Sequence, residues 1–337
     1  MAIESDEDNE DKYFILTEKL GSIKKLQYIL TQTFNIKILE HMFEMLTDEE
    51  EKKRMITMFN AFNYDPIGMK SWKTANLEDD VNWFSTAEFQ SAVRLSLDLP
   101  PSVSWYDENM KIRHKCQWCK EVTDNPKHNY SCISQNSNGQ KIAHDYINQQ
   151  LQKLLVNRGA QVINEPMVKD FIDSSNMSTL EPSDIQFLNQ MDVTNHNHKN
   201  RYDTFIRFGP IGYATDIKRT DIFAKTYMNR GGGPKKALEY HYDDKYGKYV
   251  KFAKKSNIKL SGGFHPLIFS QMGNIAKQSL KFIKKIDEYS TEHVNRIDYI
   301  DEIEKEDVYS STRVALSSIA YKANYRLECR SMAKLKL

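Results

Sequence analysis

Cys116-Gln-Trp-Cys119 is followed after eight residues by His128 and after three more by Cys132, a cluster that uses three of the chain's four cysteines. Thiolate sulfur and imidazole nitrogen are the donors that tetrahedral Zn²⁺ prefers, and a Cys-x-x-Cys turn closed by a nearby His and Cys fills all four positions. No vertex is left for a catalytic water, so such an ion would be structural and any chemistry is expected elsewhere. The competing reading is a group of buried thiols that lie together without an ion.

A chain of 337 residues, 40% of them hydrophobic, is long enough for two or three packed domains. Lys plus Arg (47) nearly cancels Asp plus Glu (46), so affinity for nucleic acid would have to come from local patches rather than bulk charge. Four cysteines, with Cys329 far from the others, do not make a disulfide framework, and no basic, apolar leader opens the sequence. A nuclear or cytoplasmic setting is therefore expected. No run approaches the roughly 20 apolar residues that span a bilayer, so no membrane partner is expected.

Residues 1–12 are acidic and lack apolar periodicity, which predicts a solvated end. From Phe14 to Phe62 apolar residues recur at helical spacing, with a break expected over the charged run Asp48 to Arg54. Ser85-Thr-Ala-Glu88 has the form of a capping box, and Phe89, Ala92, Val93 and Leu97 make the expected apolar face of a helix that stops at Pro100-Pro101. Ile142, Tyr146, Ile147, Leu151, Leu154 and Leu155 outline another amphipathic helix, ended by Gly159. Gln161 to Pro166 reads as a strand. Short β-rich runs follow at Asp184 to Leu188, Thr204 to Phe208 and Ile211 to Lys218, the last two joined by Gly209-Pro210, with the polar stretch Asn189 to Tyr202 as a loop. A basic, Tyr-rich helix is expected from Lys235 to about Lys255, then helices over Gln271 to Ile286 and from Ser310 onward. The fold class is α+β, in several domains.

Asp184 and Asp216 each stand beside apolar strand residues. Alternate side chains of a strand share a face, so Asp216 and Lys218 point one way while Ile217 enters the core. If the strand bearing Asp184 pairs alongside, two carboxylates and an ammonium meet at one spot, and Glu165 on the preceding helix-strand unit adds a third carboxylate. Oxygen ligands of this kind suit Mg²⁺ or Mn²⁺, ions that activate water and offset the charge of a phosphate. An Asp-x-Lys in a strand is equally at home as a surface ion pair, and both readings stand at this level. His144-Asp145 reads as a helix-start hydrogen bond or as a pair supporting a site, the former being favoured.

Residues from about Gly68 to Gly273 resemble the region that follows the polymerase core in non-LTR retrotransposon proteins carrying a restriction-enzyme-like endonuclease. The likeness is one of ordered landmarks. Gly68-Met-Lys-Ser-Trp72 and the helix ending in Leu97-Asp-Leu-Pro100 come first, then the Cys-Cys-His-Cys knuckle, then Gly139-Gln-Lys-Ile-Ala-His144-Asp145. Glu165-Pro166, Asp184, Asp216-Ile-Lys218, Lys245-Tyr-Gly-Lys248-Tyr249, Phe264-His-Pro266 and Gly273 complete the series. No polymerase signature precedes the knuckle, and Tyr242-Asp-Asp244, beyond it, has His241 where an aromatic is required. Polymerisation is not expected.

This resemblance implies a PD-(D/E)xK core, a mixed sheet flanked by helices, that cleaves DNA with a divalent metal. It implies that Asp184 and Asp216 hold Mg²⁺ or Mn²⁺, that Lys218 assists the attacking water, that Glu165 is an outer or additional ligand, and that Lys248 or Lys245 supplies or replaces the lysine. The implied domains are an acidic end at 1–12, a helical thumb-like region at 13–105, the zinc knuckle at 106–135, the endonuclease-like domain at 139–290 and a helical extension at 291–337. Trp118 in the knuckle is open to two roles, stacking on a base or filling a small core. Arg113, Lys115 and Lys120, with Lys111 and Lys127, form a local basic patch for phosphate. The expected partner is DNA, with RNA as a second candidate. The alternatives to a DNA endonuclease are a catalytically inactive zinc-knuckle protein that binds nucleic acid and a degenerate fragment.

Overall fold

Gly209 adopts a φ of +55°, a left-handed value open to glycine, and with Pro210 it reverses the chain between two β-rich runs. The resulting hairpin is the centre of a computed structural model of the protein. The structure describes residues 48–71, 84–99, 104–165 apart from 117 and 133–135, 202–229, 233–255, 260–294 and 302–333, with a few positions between 37 and 46. The acidic end at 1–12, the run Asp184 to Leu188 and most of the expected loop after it lie outside the described residues.

In chain order the elements are α1 (Glu49–Tyr64), α2 (Pro66–Lys70), α3 (Thr86–Ser96), β1 (Trp105–Tyr106), β2 (Ile112–Lys115), β3 (Val122–Thr123), α4 (His128–Ser131) and α5 (Asn136–Asn157). They continue as β4 (Gln161–Asn164), β5 (Thr204–Phe208), β6 (Ile211–Thr220), α6 (Lys225–Met228), α7 (Gly233–Lys255), β7 (Gly263–Ser270), α8 (Lys277–Val294) and α9 (Glu302–Ala333). The fold is α+β. Two compact units are present, Met1–Ile56 and Thr57–Leu337, and all strands and every helix from α2 onward belong to the second. Among the described residues no helix is long and apolar enough to cross a membrane.

The main sheet has the order β4-β5-β6-β7, antiparallel as far as β6 and parallel between β6 and β7. Alternation along the hairpin divides its side chains between two layers of helix. Ile206, Phe208, Tyr213 and Ile217 join Ile147, Leu151, Leu154 and Leu155 of α5, Phe282, Ile283 and Ile286 of α8, and Ala315, Leu316 and Ile319 of α9 in one core. Ala214 faces the other way, with Tyr202, Phe264 and Tyr249 of α7. Gly212 is needed for close packing, since a Cβ there would lie 2.4 Å from the Phe205 ring.

The structure corrects several expectations. Strand β7 was not foreseen, because Pro266 interrupts it and its residues are buried on both faces instead of alternating; as an edge strand among the described residues it tolerates the missing N–H. The capping box of α3 is present, with Ser85 Oγ accepting from Glu88 N and Ser85 N donating to the Glu88 carboxylate at 2.9 Å. Its buried face is nevertheless Ser91, Ala92 and Leu95, while Phe89 and Leu97 are exposed, because the helix packs a polar seam against α9 where Ser91 Oγ donates to Glu328 at 2.9 Å. The break falls at the start of the charged run, with Met45 helical and Leu46 and Asp48 outside a helix, and the run itself is helical. Asp48 Oδ1 accepts from Glu50 N and Glu51 N, and Glu49, Glu50 and Glu51 fill the first turn of α1, where the helix dipole favours negative charge. Finally α9, expected within a C-terminal extension, contributes its middle to the central core.

Asp65 ties the helices together. It is fully buried; its carboxylate accepts from Gly68 N at 2.9 Å and Ile275 N at 3.0 Å and pairs with Arg313 of α9. Its loss would orphan two amides and a guanidinium, so Asp65→Ala should destabilise the protein by roughly 3 kcal/mol or more in chemical denaturation. Asp287 of α8 accepts from Thr312 Oγ1 of α9 at 2.7 Å, and burial pushes its carboxyl up to about 6. An acid raised in the folded state loses its stabilising contribution as pH climbs from its ordinary 3.8 through about 6. Asp287→Asn should therefore gain thermal stability relative to the parent protein across that interval, read from melting curves at successive pH values.

Candidate metal centre and acidic cleft

Cys116, Cys119, His128 and Cys132 present their donor atoms within 4.8 Å of one another. The three short strands and α4 shape this group. Cys116 N donates to Glu121 O at 2.8 Å, Lys120 N returns to Cys116 O at 2.9 Å with Lys120 at a φ of +66°, and Trp118 N points at Cys116 Sγ. Cys119 Sγ lies 3.3 Å from His128 Nε2, so Nε2 is the ring nitrogen that faces the thiols. Burial, ahead of its contacts with the other thiols, pushes the Cys116 thiol up to about 12. A bound cation reverses that preference by taking the thiolate. A Cys₃His set at this spacing can hold a metal ion such as zinc.

The knuckle is docked firmly on the rest of the fold. Trp118 packs against the main core, in keeping with the core-filling role. Lys127 is 1% exposed, donates to Leu95 O and pairs with Asp98 at 3.2 Å, so it is a docking residue rather than part of a basic patch. Arg113 is held by Asp107 at 2.8 Å and Asp124 at 3.2 Å, while Lys115 and Lys120 are exposed.

The second constellation lies in a cleft of about 690 Å³ between α5, β6 and α7. Asp216 and Lys218 both line it, while Ile217 also enters the main core, as strand alternation requires. Asp216 is 2% exposed, and Lys245 Nζ of α7 donates to both its oxygens at 2.7 Å. Its carboxyl neighbour in the cleft is Asp203, whose charge acts on it. Asp203 N donates to Thr215 O at 3.0 Å, continuing the hairpin by one residue, and Ile217 N donates to the Asp203 carboxylate. Asp184 lies outside the described residues. Glu165 borders the cleft at a φ of +45°, exposed, its N–H bonded to Asp203 O at 2.9 Å. Lys248 also lines the cleft, its ammonium 4.9 Å from the Tyr249 ring centroid.

Asp203 is the residue sequence reasoning missed, although its signal was present. Counting outward from a two-residue turn at Gly209-Pro210 pairs Thr204 with Thr215, and one further step sets Asp203 opposite Asp216. His144 is likewise reassigned. It sits inside α5, not at its start, with Nε2 3.0 Å from Asp203 Oδ2 and Nδ1 3.3 Å from Asp145 Oδ1.

Two carboxylates this close cannot both ionise freely. Burial and then the charge of Asp203 push Asp216 up to about 7, against the pull of Lys245. Burial would also raise Asp203, yet the hydrogen bond and charge of His144 hold it below the usual carboxylate value. For His144 burial works against the charged ring, and Asp203 and Asp145 outweigh it, lifting it to about 9. Burial, helped by the charge of Lys245, lowers Lys218. The arrangement is a buried acid pair with Lys141, Lys218, Lys245 and Lys248 lining the same cleft, able to receive an anion beside a carboxylate site.

The chain matches no known protein-family model and no characterised protein sequence. The knuckle itself yields a direct expectation. Purified protein should carry about one Zn²⁺ per chain by elemental analysis, and Cys119→Ser or chelation should release it and lower the melting temperature, since such sites contribute folding energy. A protein that folds fully without metal would contradict this.

Proposed function

We propose that the protein is a divalent-metal-dependent DNA endonuclease, similar to the target-nicking domain of a non-LTR retrotransposon protein and built on a PD-(D/E)xK core. The observation that carries this reading is the meeting of Asp203 and Asp216 in one cleft with Lys218 and Lys245. A hairpin that presents an acid at the start of one strand and Asp-x-Lys on the next is the form of that core, and a mixed sheet with helices on both faces agrees with it. Under this reading Asp203 takes the role first given to Asp184.

Asp203 and Asp216 would be the ligands of a Mg²⁺ or Mn²⁺ ion, two carboxylates being a usual protein share for a cation that keeps several waters. Such an ion supplies a Lewis acid and a more acidic water at the scissile phosphate. Lys218, on the same face as Asp216 and lowered by burial, is placed to steady charge on the phosphate or orient the attacking water. Lys245 now neutralises Asp216, so an arriving cation would free its ammonium toward the phosphate. Lys248 and Lys141 at the rim would hold flanking phosphates.

The same Lys245 pair favours the second reading, a zinc-knuckle protein that binds nucleic acid without cutting it, with the lysine standing permanently in the place of the ion. Nicking of supercoiled plasmid separates the two. The enzyme reading expects Mn²⁺- or Mg²⁺-dependent nicks that fall about 100-fold or more in Asp203→Ala and Asp216→Ala, because several kcal/mol of charge stabilisation is lost. Salt-sensitive DNA binding with no nicks at any metal concentration would instead leave the binder.

A further inference from the structure

Helix α5 presents His144, Asn148 and Gln152 at intervals of four residues, so the three side chains form a row along one face. Each reaches the segment that carries Asp203 or the strand beside it. His144 Nε2 is 3.0 Å from Asp203 Oδ2; Asn148 Oδ1 accepts from Thr204 Oγ1 at 2.6 Å while its Nδ2 donates to Asp203 O at 3.4 Å; Gln152 Nε2 donates to Asn164 Oδ1 at 2.7 Å. Asn148 also donates to Asn164 Oδ1 at 3.2 Å, joining β4 to the same row. The helix thus holds the backbone, the neighbouring hydroxyl and the carboxylate of a single acidic residue.

We propose that His144 is a positioning residue that presents Asp203 to the divalent ion, with Asn148 fixing the chain beneath it. This rests on the reading of Asp203 and Asp216 as metal ligands. Asp203 Oδ2 accepts from both His144 Nε2 and Ile217 N, which fixes the plane of the carboxylate and leaves Oδ1 outside this pair of bonds. Asp145 Oδ1, 3.3 Å from His144 Nδ1, orients the ring from its other side. A carboxylate held in this way needs no reordering when a cation arrives, and supporting partners of metal ligands are typically worth about 10- to 100-fold in affinity.

The test is calorimetric titration of the full chain with Mn²⁺, in the absence of DNA, alongside melting curves of the metal-free proteins. His144→Ala should weaken Mn²⁺ binding about 10- to 100-fold, and His144→Gln, whose amide can still donate to Asp203, should restore most of it. Equal affinity in all three proteins would overturn the proposal. So would a loss in His144→Ala that tracks a lowered melting temperature and is unrelieved by glutamine, since that pattern belongs to a purely structural residue. A parent protein that takes up no Mn²⁺ would remove the metal-site reading and this inference together, whereas parent binding with an unaffected His144→Ala would remove the inference alone.

Discussion

Two carboxylates buried side by side are unfavourable unless their charge is shared or neutralised, and the region around Asp203 and Asp216 is arranged around that constraint. The two-residue turn fixes the register that sets them opposite each other. Lys245 reaches from α7 on one side of the sheet and His144 from α5 on the other, so each acid has a cationic partner from a different layer. Tyr202, Tyr249 and Phe264 pack with ring centroids 5.0–5.1 Å apart on the face of the sheet that carries Ala214, and the burial of Asp216, 2% exposed, strengthens the electrostatics around it.

The remaining architecture supplies rigidity to this pair. Tyr130, two residues before the last residue of the Cys₃His group, donates to Glu328 of α9, and Lys127 donates to Leu95 O in α3, so the knuckle is tied to α3 and to α9, the latter packing against the sheet. Gly68 and Gly273 let two backbone segments approach beside Asp65, a Cβ on Gly68 lying only 2.4 Å from Gly273 O. Arg219, one strand position past Lys218, turns to the α5 and α9 side and bonds Gln140 and Asn324. Strand alternation therefore gives neighbouring cations different work, with Lys218 in the cleft and Arg219 holding the helices.

Much of this was legible where local rules act. The metal knuckle follows from ligand type and spacing, the capping box from Ser85 and Glu88, the end of α5 from Gly159, and the hairpin from Gly209-Pro210. What escaped was decided by tertiary context. Strand β7 is apolar on both faces and contains a proline, so it shows no period-two signal. The buried face of α3 takes in Ser91 beside Ala92 and Leu95 because its neighbour α9 offers Glu328, which no local window reveals. Asp203 falls between the polar stretch ending at Tyr202 and the strand from Thr204, where only hairpin arithmetic places it; His144 depends on the helix packing that brings it there.

The central claim is that Asp203 and Asp216 form one cation site, and crystallography of Mn²⁺-soaked protein with anomalous scattering tests it most directly. The account predicts a peak about 2.1 Å from an oxygen of each carboxylate, with the Lys245 ammonium displaced from Asp216. An empty site, with Lys245 still bridging both Asp216 oxygens at saturating Mn²⁺, would contradict it.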